Sequence, residues 1–128
     1  MSVIVECPDK KIRLFSKGAD SVISELITEN ESLIEKTNNH LIKFAQKGLR
    51  TLMIAYREIS NEEYLIFERE YQNALNNPSQ RNTLLKKAYS FIERNYILLG
   101  ATAIEDKLQD NVSEVLFSFI GAGIKIWV

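Results

Sequence analysis

Val3-Ile4-Val5-Glu6-Cys7-Pro8-Asp9-Lys10-Lys11-Ile12-Arg13-Leu14-Phe15 is the stretch from which the fold is read. Val3, Val5 and Cys7 alternate with Ile4 and Glu6, the two-residue period of a strand. The intervening Pro8-Asp9 pair is a turn signal. Two short apolar runs on either side of that turn predict a β-hairpin.

Outward from the hairpin, Gly18 is expected to break the second strand and Asp20 to cap a helix. In that helix Val22, Ile23, Leu26 and Ile27 share one face. Residues 29–36 are polar and predict a connection. A second helix is expected over 37–47, with Leu41, Phe44 and Ala45 as its stripe and Gly48 at its left-handed end. A strand follows over 49–56. Ser60 with Glu63 makes a capping box for a third helix lined by Tyr64, Phe67, Tyr71 and Ala74. Asn76-Asn77-Pro78 ends it, and Ser79 is placed to cap a fourth helix. The stripe there is Leu84, Leu85, Ala88, Phe91 and Ile92, and Asn95 marks its stop.

Residues 96–104 read as a buried strand whose Gly100-Ala101-Thr102-Ala103 portion would allow close backbone approach. Asp110 is placed to cap a fifth helix carrying Val112, Val115, Leu116, Phe119 and Ile120. Gly121 and Gly123 then turn the chain into a last strand, 124–128. Strand, helix and strand in that order form a βαβ unit. The expected fold is therefore α+β: an antiparallel sheet with packed helices, followed by a βαβ piece, with an internal boundary near Ile104. Such a unit needs further strands beside it, and Ile126-Trp127-Val128 ends with no turn or polar tail. The expectation is a piece cut from a longer chain, at the front as well.

Apolar residues make up 45% of the 128 positions and charged ones 26%, enough for a core and against wholesale disorder. Sixteen basic residues face seventeen acidic ones, which gives no electrostatic case for nucleic acid or an anionic membrane surface. Cys7 is the sole cysteine, so no internal disulfide forms and a cytosolic setting is the natural expectation. One Cys and one His leave no zinc cluster. The apolar runs 96–99 and 124–128 fall far short of the ~20 residues that span a bilayer.

Little in the bare residues says catalysis. His40 stands alone and reads as a solvated surface histidine, and Cys7 as a small packing residue. Glu62-Glu63 and Glu105-Asp106 are acidic pairs of the kind found at helix starts and strand ends. No nucleophile, base and orienter can be assembled. No Gly-rich phosphate loop is present either. Lys17 and Arg50 are strand-end cations beside Gly18 and Gly48. They are either solvated ends or, together, a pair able to neutralise a polyphosphate.

Several stretches together resemble the P-type ATPases. Phe15-Ser16-Lys17-Gly18-Ala19-Asp20-Ser21-Val22-Ile23 is similar to the Lys-Gly-Ala motif of their nucleotide-binding domain, in the form seen in lipid flippases. Gly48-Leu49-Arg50-Thr51-Leu52 with Ala55-Tyr56-Arg57 resembles the next signature. Leu98 to Gln109 carries the most specific likeness: its Asp106-Lys107-Leu108-Gln109 turn is similar to that of the phospholipid-transporting branch, where cation pumps have Asp-Pro-Pro-Arg. Ala122 to Val128 resembles the strand that leads into Thr-Gly-Asp, and Met1-Ser2-Val3-Ile4-Val5 also fits.

The resemblance implies a parent enzyme, embedded in a membrane, that couples ATP hydrolysis to moving phospholipids between leaflets. This segment would lie on its cytoplasmic side. Residues 1–104 would be the C-terminal part of the nucleotide-binding domain, and 105–128 the start of the second segment of the phosphorylation domain. Lys17 would line the ATP pocket, Arg50 would contact the bound phosphates, and Asp106 would sit at the hinge turn near the nucleotide. Implied partners are ATP, the transmembrane, phosphorylation and actuator domains, and a phospholipid bound elsewhere. Mg²⁺ is the implied metal, with its ligands outside this chain.

Departures from the family pattern are equally informative. The phosphorylated aspartate of Asp-Lys-Thr-Gly-Thr is absent, as are the stacking phenylalanine and acidic residue that precede the Met-Ser-Val strand. The segment alone is expected to be inactive. Without that stack it forgoes about 1 kcal/mol of nucleotide binding, so weak ATP affinity is implied. The rivals are a free-standing interaction module with the same fold and no nucleotide activity, and a piece of a cation-transporting P-type ATPase.

Overall fold

A computed structural model describes residues 1–28, 31–107 and 109–127. The predicted hairpin is present. Strands β1 (Ser2–Glu6) and β2 (Ile12–Gly18) pair antiparallel with Val3 opposite Phe15 and Val5 opposite Arg13. The turn closes through Lys10 N–H to Cys7 O and Cys7 N–H to Lys11 O, both 2.9 Å. Lys10 takes φ 64°, and the Asp9 carboxylate accepts the Lys11 amide at 3.2 Å.

Helix α1 (Asp20–Leu26) follows, then α2 (Glu31–Gln46), β3 (Arg50–Ile59), α3 (Asn61–Leu75), α4 (Arg81–Ile92), β4 (Ile97–Ile104) and α5 (Val112–Gly121). The four strands form one sheet in the order β1-β2-β3-β4, every neighbour antiparallel. Alternation assigns its two faces. Leu14, Met53, Ala55, Ile59 and Leu98 are buried against Ile23, Leu41, Phe67, Ala88 and Ile92 of the helices. Fully burying a Leu or Met side chain contributes about 1.5–3 kcal/mol, and Leu14 and Met53 meet that condition. Phe15, Lys17, Ile54 and Tyr56 point to the opposite, uncovered face. Tyr96, just before β4, is wholly buried, and its backbone ties α1 to the sheet through Tyr96 N–H to Leu26 O at 2.9 Å.

The ends of the helices test the cap assignments. Ser60 forms the capping box with Glu63, Glu63 N–H bonding Ser60 Oγ at 3.1 Å and Ser60 N–H bonding Glu63 Oε2 at 3.2 Å. Gly48, at φ 73°, closes α2 by donating to Ala45 O, while Leu49 N–H reaches Phe44 O. Elsewhere the caps shift by one. Ala19, Gln80 and Asn111 hold the positions expected of Asp20, Ser79 and Asp110, and none of the three makes a side-chain cap bond.

Three expectations are corrected. Helix α2 begins at Glu31 rather than near 37, because Ile34 packs against the core and draws the polar stretch into helix; Glu29 and Asn30 lie outside the described residues. Gly100 is not a site of close approach: a Cβ there would meet nothing within 4 Å. Its φ of 150° belongs to the irregularity where β3 and β4 shift register at Ile54/Ala55. The last strand does not form, since residues 124–127 pair with no strand among the described residues and Val128 lies outside them. Helix α5 keeps its apolar stripe but buries none of it, so no βαβ unit is assembled.

Candidate functional site

An antiparallel meander brings alternate strand ends together. The start of β1, the end of β2, the start of β3 and the end of β4 lie at one end of the sheet, as the pairs Ser2–Ser16, Gly18–Met53 and Arg50–Ile104 require. Lys17, Arg50 and Asp106 are all at this end. Lys17 is exposed on the uncovered face, opposite Ile54, with its N–H donating to Met1 O and its carbonyl accepting from the Met1 amino group, each at 2.9 Å.

Arg50 and Asp106 meet. Arg50 Nη2 lies 2.9 Å from Asp106 Oδ2, and both side chains are largely exposed. The contact exists because Arg50 pairs with Ile104, which delivers the turn after β4 to the start of β3. Lys17 stands apart from them. Its partner Ile54 is four positions along β3 from Arg50, roughly 13 Å at the rise of a strand. One phosphate cannot touch both cations, whereas an extended anion can.

A pocket of about 270 Å³ lies at Lys17, walled by Met1, Val3, Phe15 and Ile54. Phe15 extends the apolar surface by stacking on Tyr56, with ring centroids 6.0 Å apart and planes at 24°. This combination of an apolar floor with Lys17 at its edge suits a flat ring carrying a negative tail. Phe15, Ile54 and Tyr56 were not among the sequence-derived site residues. Their signal was present in the alternation that puts Phe15 beside Lys17, and Ile54 and Tyr56 across from them. A larger cleft of about 510 Å³ flanks the other side of β1, among Phe67, Tyr71 and Tyr89. It contains the carboxylate of Glu93 and no lysine or arginine, which disfavours an anion.

The opposite end of the uncovered face is charged but self-neutralised. Arg13 bonds Asp9 and also reaches Glu58 at 3.3 Å, and Lys11 bonds Glu58 at 2.9 Å. The Arg13 hydrogen bond holds the Asp9 carboxyl below its usual range, and the Lys11 bond does the same for Glu58. Lys17, in contrast, forms no ion pair among the described residues. His40 is exposed on α2, tilted against Phe44, and Cys7 is half-buried and unpaired. No group of metal-binding side chains occurs among the described residues, and none of their helices is long and apolar enough to cross a membrane.

Comparison with known proteins adds an independent finding. A sequence model of the family described as "P-type ATPase, cytoplasmic domain N" matches residues 1–111. Over 129 residues the chain is 49% identical to Phospholipid-transporting ATPase DRS2 of Saccharomyces cerevisiae, covering 100% of this chain and 10% of that protein. It is 46% identical over 130 residues to Probable phospholipid-transporting ATPase 12 of Arabidopsis thaliana, again across the whole chain and 11% of the relative. It is 45% identical over 128 residues to Phospholipid-transporting ATPase C887.12 of Schizosaccharomyces pombe. The chain thus spans about a tenth of the length of the curated relatives it matches.

Proposed function

This chain belongs to the P-type ATPases, and from that premise we propose that it is the ATP-binding segment of an enzyme coupling ATP hydrolysis to phospholipid translocation across a membrane. The observation that carries the ATP assignment is the pocket at Lys17, with an apolar wall on one side and at its rim a lysine that forms no ion pair among the described residues. The base of ATP would lie against Phe15 and Ile54 with Lys17 beside it, and the phosphates would extend toward Arg50. Asp106, bonded to Arg50, would sit at the hinge turn near the nucleotide.

ATP supplies the phosphoryl group and, when bound, Mg²⁺ neutralises its charge. The residues of this chain bind and orient, and the ligands of the metal are assigned to other parts of the parent. The sequence has no Asp-Lys-Thr-Gly-Thr aspartate to accept a phosphoryl group, so the segment alone does not hydrolyse ATP, and without the family's stacking phenylalanine it binds ATP weakly. Residues 1–104 would be the C-terminal part of the nucleotide-binding domain and 105–128 the start of the second segment of the phosphorylation domain, a division supported by the end of β4 at Ile104 and by the exposed α5. The parent is an integral membrane protein with this segment on the cytoplasmic face. Phospholipid rather than cation transport is favoured by the names of the relatives and by the Asp106-to-Gln109 turn.

Titrating ATP into the isotopically labelled chain tests the assignment. Amide shifts should concentrate at Phe15, Lys17, Ile54 and Arg50, and Lys17→Ala should weaken them. Shifts confined to the Phe67–Tyr71–Tyr89 cleft, with Lys17 and Arg50 silent, would overturn it.

A further inference from the structure

Four polar side chains from four places in the fold make one continuous chain of hydrogen bonds beneath the Lys17 pocket. The Tyr96 hydroxyl, ahead of β4, meets Ser16 Oγ of β2. Ser16 Oγ bonds Ser2 Oγ of β1 at 2.7 Å, and Ser2 Oγ donates to Glu93 Oε1 at the end of α4. Tyr96 is fully buried and Ser16 is 4% exposed.

Proton inventory fixes the direction of this chain. An ionised carboxylate only accepts, and each hydroxyl has one hydrogen to give. Ser2 spends its hydrogen on Glu93, so it must accept from Ser16. Ser16 has then used its own hydrogen and must accept from Tyr96. The order is Tyr96 to Ser16 to Ser2 to Glu93, with no alternative while Glu93 is ionised. A charge-assisted bond at one end of such a chain polarises the bonds behind it.

The chain is placed where the pocket needs support. β1 has a single strand neighbour, yet Met1 and Val3 from it form one wall of the pocket. Val3 is 52% exposed and contributes no anchoring burial. Ser16 immediately precedes Lys17 and points to the other face, so whatever fixes Ser16 fixes the backbone that carries the lysine.

We propose that Ser2, Ser16, Tyr96 and Glu93 are positioning residues for the nucleotide pocket. Their directed hydroxyl chain clamps β1 onto β2 and α4 and so holds the Met1–Val3 wall against Lys17. The proposal rests on the assignment of that pocket to ATP, and the experiment separates the two.

The 128-residue chain and its Ser2→Ala, Ser16→Ala, Tyr96→Phe and Ser2→Thr variants are compared by amide exchange and by ATP titration. Ser2→Ala and Ser16→Ala should speed exchange at Val3, Phe15 and Lys17 by roughly tenfold over any change at Met53 and Ala55, since the opening is local. They should weaken ATP binding about fivefold or more, as a loosened wall lowers the fraction of binding-competent pocket. Tyr96→Phe, which leaves the Ser2–Glu93 link intact, should do less, and Ser2→Thr should restore both properties. Uniform loss of protection across the sheet marks a merely structural role and overturns the proposal, as does unchanged ATP affinity in the alanine variants. Should Ser16→Ala fail to fold, Ser2→Ala at the half-buried edge decides the matter. Absence of ATP shifts in the unmodified chain overturns the ATP assignment and, with it, the role given to these residues.

Discussion

Arg57→Ala is expected to remove the joint that holds the helical layer to β3. Arg57 lies on the core face at 7% exposure. Its Nη2 pairs with Glu63, Nη1 donates to Ile92 O at 3.3 Å and Arg94 O at 3.4 Å, and Nε donates to Glu58 O at 3.4 Å. One side chain thus connects β3, the first turn of α3 and the end of α4. Deleting one member of a buried pair costs about 3–5 kcal/mol. Glu63 keeps the Ser60 amide and Arg94 at 3.5 Å and is partly exposed. The loss should therefore fall near the lower bound, about 3 kcal/mol. That is a large share of the ~5–15 kcal/mol typical of a domain.

The measurement is denaturant unfolding, in which the midpoint should fall while the slope is kept. A pH series adds a sign. Burial pushes the Glu63 carboxyl up, but the Arg57 hydrogen bond, the Ser60 amide and the charges of Arg57 and Arg94 outweigh it and hold the group below its usual value. A depressed carboxyl stabilises above its unfolded pKa and loses that stabilisation as pH falls through the folded one. The gap between wild type and Arg57→Ala should accordingly narrow in acid. A loss under about 1 kcal/mol, or a gap constant with pH, would refute the assignment of Arg57 as a buried joint.

Other outcomes follow from single contacts. Ser60→Ala should cost about 1 kcal/mol by removing the α3 cap, and combined with Glu63→Gln the two losses should be less than additive in unfolding midpoints. Gly48→Ala should cost about 1 kcal/mol although its Cβ would meet nothing within 4 Å; Gly48→Asn should recover part of this, and equal losses would point away from the backbone. Asp106→Asn should leave stability unchanged, since exposed pairs contribute about 0–1 kcal/mol. It should tighten ATP binding about two- to fivefold at low salt by freeing Arg50 from a competing carboxylate. Weaker binding in that variant would instead give Asp106 a supporting role.

What the sequence disclosed depended on how local its cause was. The hairpin turn is written in Pro8-Asp9, the α3 start in Ser60 and Glu63, and the α2 end in Gly48, because each acts on neighbours a few residues away. The start of α2 was missed because Ile34 gains its place from the distant core rather than from its polar neighbours. Periodicity found the apolar face of α5 and of residues 124–127 but carries no information about a partner, and among the described residues neither has one. Motif likeness singled out Lys17, Arg50 and Asp106 one by one. The contact between Arg50 and Asp106 came only with the β3–β4 register, and the chain from Tyr96 to Glu93 only with the packing of α4.

The same meander also explains why one end of the uncovered face, and not the other, is suited to an anion. Lys11 and Arg13 lie at the hairpin end, Lys17 and Arg50 at the other. At the hairpin end the turn supplies Asp9 and β3 supplies Glu58, so both cations are satisfied within a few ångströms. At the other end the one carboxylate in an ion pair among the described residues is Asp106, bound to Arg50 in an exposed pair, and Lys17 lies beside the apolar Val3, Phe15 and Ile54. An incoming polyphosphate competes with two carboxylates at one end and one at the other. The selectivity of the face therefore lies in where the acids are placed rather than where the bases are. Moving a carboxylate to the Lys17 end, as in Ile54→Glu opposite that lysine, should weaken ATP binding more than Ile54→Gln, which removes the same apolar wall without adding charge; equal affinity in the two variants would refute this account.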